Sequence, residues 1–271
     1  MPAPTFHVLD LFAVPGPAVP MPGGDGTSHR AGDLVLSPGR SAQVQAWLSP
    51  VLAHVAVRFD EAPGRHPRDL RVAMPVPARD GAWVVEGWSA CRYEPGTEVC
   101  RDPDVTLAAG RVLHAQLAAS IRRRPPGLAG RGGAMLRAER LAFGPANAML
   151  KEAVGTPAAA VVRRAERHLV ETDLGPSQLV HGDLAGNVLL DLRGAPVVVD
   201  VVPFWRPIVW AEALAVLDLV VRYGAPLASL AGWTSGERHQ AILRALLFRA
   251  FADEPLRPEL YRRSLDVIAP E

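Results

Sequence analysis

The chain predicts an α+β fold in two parts, a small mostly antiparallel sheet with one helix followed by a larger, mostly helical half. Three features point to it. Up to about Pro95, short extended runs alternate with Pro- and Gly-rich turns. From Asp104 onward apolar residues recur at helical spacing. A strand–loop–hairpin tract from Leu179 to Asp200 then interrupts the helices. The expected division is therefore residues 1–95 and 96–271.

Within the first part, Pro22-Gly23-Gly24-Asp25-Gly26-Thr27 is a Gly-rich turn between extended segments. Residues 28–31 and 33–36 flank an Ala31-Gly32 turn and read as a hairpin. Ser41 is placed to cap a helix with Val44, Trp47 and Leu48 on one face, which Ser49-Pro50 should end or restart. Residues 72–78, a turn at Arg79-Asp80-Gly81 and residues 83–93 suggest a second hairpin.

The second part opens with a helix carrying Leu107, Val112, Leu113, Leu117 and Ile121, with Asp104 as its expected cap. A loop runs from Arg122 through Gly133, and Thr156-Pro157 starts a helix with Val161, Val162, Ala165 and Leu169 as its stripe. Leu179-Val180 reads as a short strand, and Val188-Leu189-Leu190 and Pro196 to Val199 form a hairpin through Leu192-Arg193-Gly194-Ala195. Helices should follow from Ile208 to a stop at Tyr223-Gly224, from Glu237 to Phe251, and from Pro258 to Ile268.

Composition bounds the function. At 271 residues and 49% hydrophobic, the chain can bury a substantial core. A net charge of +1 gives no bulk electrostatic reason to expect nucleic acid or membrane as a partner. The longest apolar run, 208–221, is too short to span a bilayer and carries Glu212 and Asp218. Cys91 and Cys100 lack metal-ligand companions and suggest a reducing cytoplasm, and no signal peptide is evident. One lysine, Lys151, stands against 28 arginines, a bias that fits GC-rich coding.

The tract His181-Gly182-Asp183-Leu184-Ala185-Gly186-Asn187, followed by Val197-Val198-Val199-Asp200, concentrates the chemistry. It sets two acids and an amide at strand ends, and the hairpin brings Asn187 and Asp200 toward one end. A carboxylate such as Asp183 can orient a hydroxyl and accept its proton, while Asn187 and Asp200 offer the hard oxygens that magnesium prefers. No G-x-S-x-G elbow supports a hydrolase, and His181 lacks partners at metal-ligand spacing.

These motifs resemble the aminoglycoside phosphotransferase and protein-kinase-like superfamily, whose catalytic loop reads H-G-D-x-x-x-x-N. Asn187 comes one residue sooner after Asp183 than in that pattern, and Gly186 is suited to a tighter backbone. The segment Asp200 to Pro207 is similar to a D-x-x-P-x-W-R-P pattern of an uncharacterised actinobacterial branch. The resemblance implies a bilobal protein-kinase-like fold with an ATP–Mg²⁺ cleft between lobes. Asp183 would be the catalytic base, and Asn187 and Asp200 the metal ligands. Gly23, Gly24 and Gly26 would cover the phosphates of ATP or another nucleoside triphosphate, and Tyr93 would lie at the segment leading to the adenine. His181 would brace the loop, and His114 is expected as a packed helix histidine. The acceptor would be a small-molecule or peptide hydroxyl.

One pair of that superfamily is missing. Ser37 stands where a strand lysine would contact the α- and β-phosphates, and no Asp or Glu between Leu34 and Arg58 supplies its glutamate partner. Arg30 or Arg40 is available as a replacement cation, Arg30 being favoured by its place just after the Gly-rich turn. The competing expectation is a pseudokinase-like module that binds a nucleotide or partner without turnover.

Overall fold

The structure, a computed structural model, describes residues 3–21, 27–128, 133–253 and 256–271. In chain order, α1 (Phe6–Leu11) and β1 (Val19–Pro20) precede β2 (His29–Ala31), β3 (Leu34–Ser37) and α2 (Ala42–Asp60). Next come β4 (Arg71–Val72), β5 (Pro75–Val76), β6 (Ser89–Arg92) and β7 (Glu98–Val99). The helices α3 (Pro103–Ser120), α4 (Ala134–Ala142), α5 (Ala146–Ala153) and α6 (Ala159–Glu166) follow. After them lie β8 (Gln178–His181), β9 (Val188–Leu190), β10 (Pro196–Val198) and β11 (Pro203–Arg206). The remainder is helical: α7 (Ile208–Arg222), a 3₁₀ segment (Leu227–Trp233), α8 (Gly236–Ala252) and α9 (Pro258–Ile268).

These elements fall into two compact units. The first comprises Met1–Cys100, Ala115–Leu128 and Gly186–Val201; the second comprises Arg101–His114, Ala129–Ala185 and Val202–Glu271. The division therefore falls inside α3 and again at each end of the β9–β10 hairpin.

In the first unit a five-stranded antiparallel sheet runs in the order β1-β2-β3-β6-β5. Gly32, at φ +60°, makes the turn between β2 and β3, a left-handed conformation that costs glycine nothing. Leu34 and Leu36 of β3 pack with Ala90 and Trp88 against Val8 and Phe12 around α1, a helix that the sequence pattern does not announce. Ser41 caps α2, its hydroxyl accepting from the Val44 N–H at 3.4 Å. Contrary to expectation, α2 passes straight through Pro50. Proline removes only one intrahelical donor, and the buried face of Leu48, Leu52 and Val55 holds the following turns.

The expected strand over 72–78 is also corrected. Arg71–Val72 joins β10 in parallel, whereas Pro75–Val76 pairs with β6. Of residues 83–93, only Ser89–Arg92 is strand; Glu86 and Gly87, both at positive φ, reverse the chain between Val85 and Trp88. A second sheet, in the order β4-β10-β9-β7, carries the expected hairpin. Its turn is held by Asp191, whose Oδ1 accepts from the Arg193 and Ala195 N–H groups at 2.8 and 2.9 Å.

The second unit is built around α7 and α8. The cap of α3 is Asp102, not Asp104: its Oδ1 accepts from the N–H groups of Asp104 and Val105, and Pro103 occupies the position where a missing N–H costs nothing. Helices α4 and α5 lie in a stretch where the sequence pattern suggests no element. Trp210 of α7 meets Phe204, Phe248 and Phe143 edge-on, with ring centroids 5.5–5.6 Å apart, in the buried centre of this unit. Strands β8 and β11 form an antiparallel ribbon, with Pro203 opposite His181. Among the described residues, no helix is long and apolar enough to cross a membrane.

Candidate functional site

In the second unit, β8 delivers His181 into the loop carrying Asp183. His181 is fully buried, and its Nδ1 accepts from the Asp183 N–H at 3.1 Å and the Val202 N–H at 3.4 Å. The strand end is held from α3, where His114 Nε2 accepts from the His181 N–H at 3.0 Å. An accepting Nε2 requires neutral imidazole, so the environment must disfavour the charged form. Burial, helped by His181, lowers the His114 pKa to about 3. His114 is thus a packed helix histidine, as the sequence suggests, and it also anchors the loop. Gly182 is glycine for reasons of space: a Cβ there would lie 2.3 Å from Phe204 Cδ2.

Asp183 belongs to a charged trio that no sequence motif discloses. Arg249 of α8 donates from Nη2 to Asp183 Oδ1 at 2.6 Å and from Nε to Asp218 of α7 at 2.9 and 3.0 Å. The side chains of Arg249 and Asp218 are 3% and 2% exposed, and that of Asp183 is 24% exposed. Asp183 is therefore the solvent-facing end of an otherwise buried cluster. Burial pushes the Asp218 carboxyl up, against the pull of Arg249. The same burial would lower the Arg249 pKa, but Asp218 and Asp183 together hold it well above its ordinary value. A charge locked in this way cannot be lost by deprotonation, so Arg249 remains a cation beside Asp183.

In the first unit, the β9–β10 hairpin carries the other two expected residues. Val188 pairs with Val198, and the Val199 N–H donates to the Asn187 carbonyl at 2.9 Å. Asn187 and Asp200 therefore flank the same end of one hairpin. Gly186, at φ +85°, supplies the tight backbone that the shortened spacing requires. Asp200 itself has φ +49°, a conformation aspartate tolerates better than most non-glycine residues.

Asp200 is paired with Arg40, from the loop between β3 and α2. Both line a cavity of about 40 Å³ with Ser37, Gln45, Ser49 and Cys91. Ser37 is buried on the wall, its Oγ 3.2 Å from that of Ser28. From α2, Ser49 donates to Gln45 Oε1 at 2.6 Å. Where the resemblance implies a Lys–Glu pair, this chain has neutral hydroxyl and amide groups beside one arginine. Burial, then the negative charge of Asp200, pushes the Cys91 thiol up to about 12, so it stays neutral.

Arg30, favoured from sequence as the replacement cation, stacks on the Tyr93 ring at 4.1 Å and donates to the Gly32 carbonyl. These two expected residues thus meet each other, and Arg40 is the arginine on the cavity wall beside Ser37. Gly23, Gly24 and Gly26 lie outside the described residues. Among the described residues no three His, Cys, Asp or Glu side chains gather as a metal site. The Arg40–Asp200 and Arg249–Asp183 pairs span 160 and 66 residues of sequence, which is why no local signal announces them.

The pattern of the phosphotransferase enzyme family matches residues 39–201, more than half of the chain and inclusive of Arg40, Asp183, Asn187 and Asp200. No curated protein matches. Similar solved structures include a choline kinase from Streptococcus pneumoniae, at 12% identity, TM-score 0.49 and 94% coverage of each chain. Another is a choline/ethanolamine kinase family protein from Mesorhizobium loti, at 18% identity, TM-score 0.42 and 97% coverage of each chain. A spectinomycin phosphotransferase bound to ADP and spectinomycin is 12% identical, at TM-score 0.40, over 93% of this chain and 79% of that one. On the match over 39–201, this α+β chain belongs to the phosphotransferase enzyme family.

Proposed function

We propose that the chain is an ATP- and Mg²⁺-dependent phosphotransferase that moves a phosphoryl group to the hydroxyl of a small molecule. The observation that carries this reading is the placement of Asn187 and Asp200 at one hairpin end, inside the matched segment. One carboxylate and one amide oxygen suit magnesium, which keeps several waters and takes further oxygens from phosphates. When bound, the ion would neutralise charge developing on the transferred group. Asn187 and Asp200 hold it in this reading, and Asp183, oriented by Arg249, accepts the proton of the acceptor hydroxyl. Asp183 is the member of its trio with the exposure that this role needs.

A second reading rests on Ser37 and Gln45. Neutral groups stand where active relatives are expected to carry an ion pair, which favours a nucleotide-binding module without turnover. One experiment separates the two: thermal stabilisation by ATP with and without Mg²⁺, run beside ATP consumption over a panel of hydroxylated acceptors. The enzyme reading expects metal-dependent stabilisation and turnover. Asp183→Asn should then cut turnover by about 10²-fold or more while ATP still stabilises the protein. Asp200→Ala should remove the metal dependence of that stabilisation. Stabilisation without turnover favours the binding module, and neither effect sinks both readings.

A further inference from the structure

Resting on that phosphotransferase reading, we propose that Arg40 grips the nucleotide phosphates in place of the absent strand lysine, and that its resting pair with Asp200 couples nucleotide binding to metal binding. Arg40 follows β3 by three residues, and its backbone N–H is fixed by the Gly87 carbonyl at 2.9 Å. Among the described residues, it and Asp200 are the only charged groups on the wall of the cavity that Ser37 lines. The Arg40 Nε is buried and has no hydrogen-bond partner among the described residues. A donor left unmade in this way suits an incoming acceptor, and a guanidinium fork matches phosphate oxygens as an ammonium does not.

The pair also closes the site against either ligand alone. Arg40 and Asp200 neutralise each other on the cavity wall, so Arg40 must loosen its hold on Asp200 before it can grip an anion fully. With its side chain 36% exposed, Asp200 is reachable from solvent, but a metal taking it leaves Arg40 without its counter-charge. Conversely, a phosphate taking Arg40 releases Asp200 for the metal. Each ligand thereby supplies what the other displaces, and by linkage the coupling is reciprocal.

The test uses the full chain and each ligand separately, so that chelation of metal by ATP does not enter. Mn²⁺ binding is followed by its paramagnetic signal, and metal-free ATP binding by calorimetry. Arg40→Ala is expected to bind Mn²⁺ alone about tenfold more tightly than the parent chain and metal-free ATP about tenfold more weakly. Asp200→Asn should bind metal-free ATP more tightly, because Arg40 is released. Arg40→Lys, which keeps the charge and loses the fork, should fall between the parent and Arg40→Ala in both. Should Arg40→Ala fail to fold, the Arg40→Lys and Asp200→Asn arms test the same coupling. If the parent chain binds Mn²⁺–ATP but the variants match it for each ligand alone, the coupling is overturned and the phosphotransferase reading stands. If the parent binds no nucleotide with or without metal, both fall together.

Discussion

Arg249 and Asp183 are joined by a 2.6 Å hydrogen bond from a guanidinium whose Nε is committed to buried Asp218. This arrangement ties the stability of the α7–α8 pair to the orientation of the exposed carboxylate. Arg249→Met leaves buried Asp218 with the more distant Arg222, at 3.8 Å, as its cation, so a loss of about 3 kcal/mol is expected in urea denaturation. Arg249→Lys should lose less stability but more turnover than stability alone explains, because one ammonium cannot serve both carboxylates in the same geometry. Wild-type stability in Arg249→Met would show that the trio is not a structural clamp.

His114 predicts a pH dependence of known sign. Its folded-state pKa is depressed to about 3 from an ordinary value of 6.5. The stability it contributes is therefore present above 6.5 and lost as pH falls, because the unfolded chain takes up a proton that the folded one refuses. Between pH 7.5 and 5.5 the parent chain should lose about 1.4 kcal/mol more than His114→Gln, whose amide oxygen can still accept from the His181 N–H. Denaturant melts at pH 7.5 and 5.5 measure the difference, and parallel losses would refute it.

Gly182 and Phe204 should behave as a coupled pair. A methyl group on Gly182 meets the Phe204 ring at 2.3 Å, so Gly182→Ala is expected to cost about 1–3 kcal/mol by overpacking. Phe204→Leu in the same background should return part of that loss. Additive effects in the double mutant would show that the Phe204 contact is not what demands glycine here.

What was readable from sequence divides by range. The β9–β10 hairpin was legible because Asp191 and Gly194 encode its turn locally. Helices α7 and α9 were legible from their stops and starts, Tyr223-Gly224 and Pro258. By contrast, Arg71–Val72 pairs with a strand more than a hundred residues later, so the period of its own neighbourhood misassigned it to a continuous strand. Helices α4 and α5 are short segments between Gly and Pro breaks, with no long apolar run to reveal them. Asp183, Asn187 and Asp200 were singled out because their spacing is a local motif. Arg249, Asp218 and Arg40 were not assigned partners, since ion pairs between distant elements leave no periodic trace.

The replacement of a strand lysine by Ser37 has a consequence for chemical proteomics. Nucleotide esters that tag kinases do so by acylating an amine beside the bound phosphates, and on the proposed reading this protein would offer a hydroxyl and a guanidinium there instead. Its one lysine, Lys151, is an exposed residue of α5. On that reading, surveys based on this reagent chemistry would pass over the protein even where it is abundant.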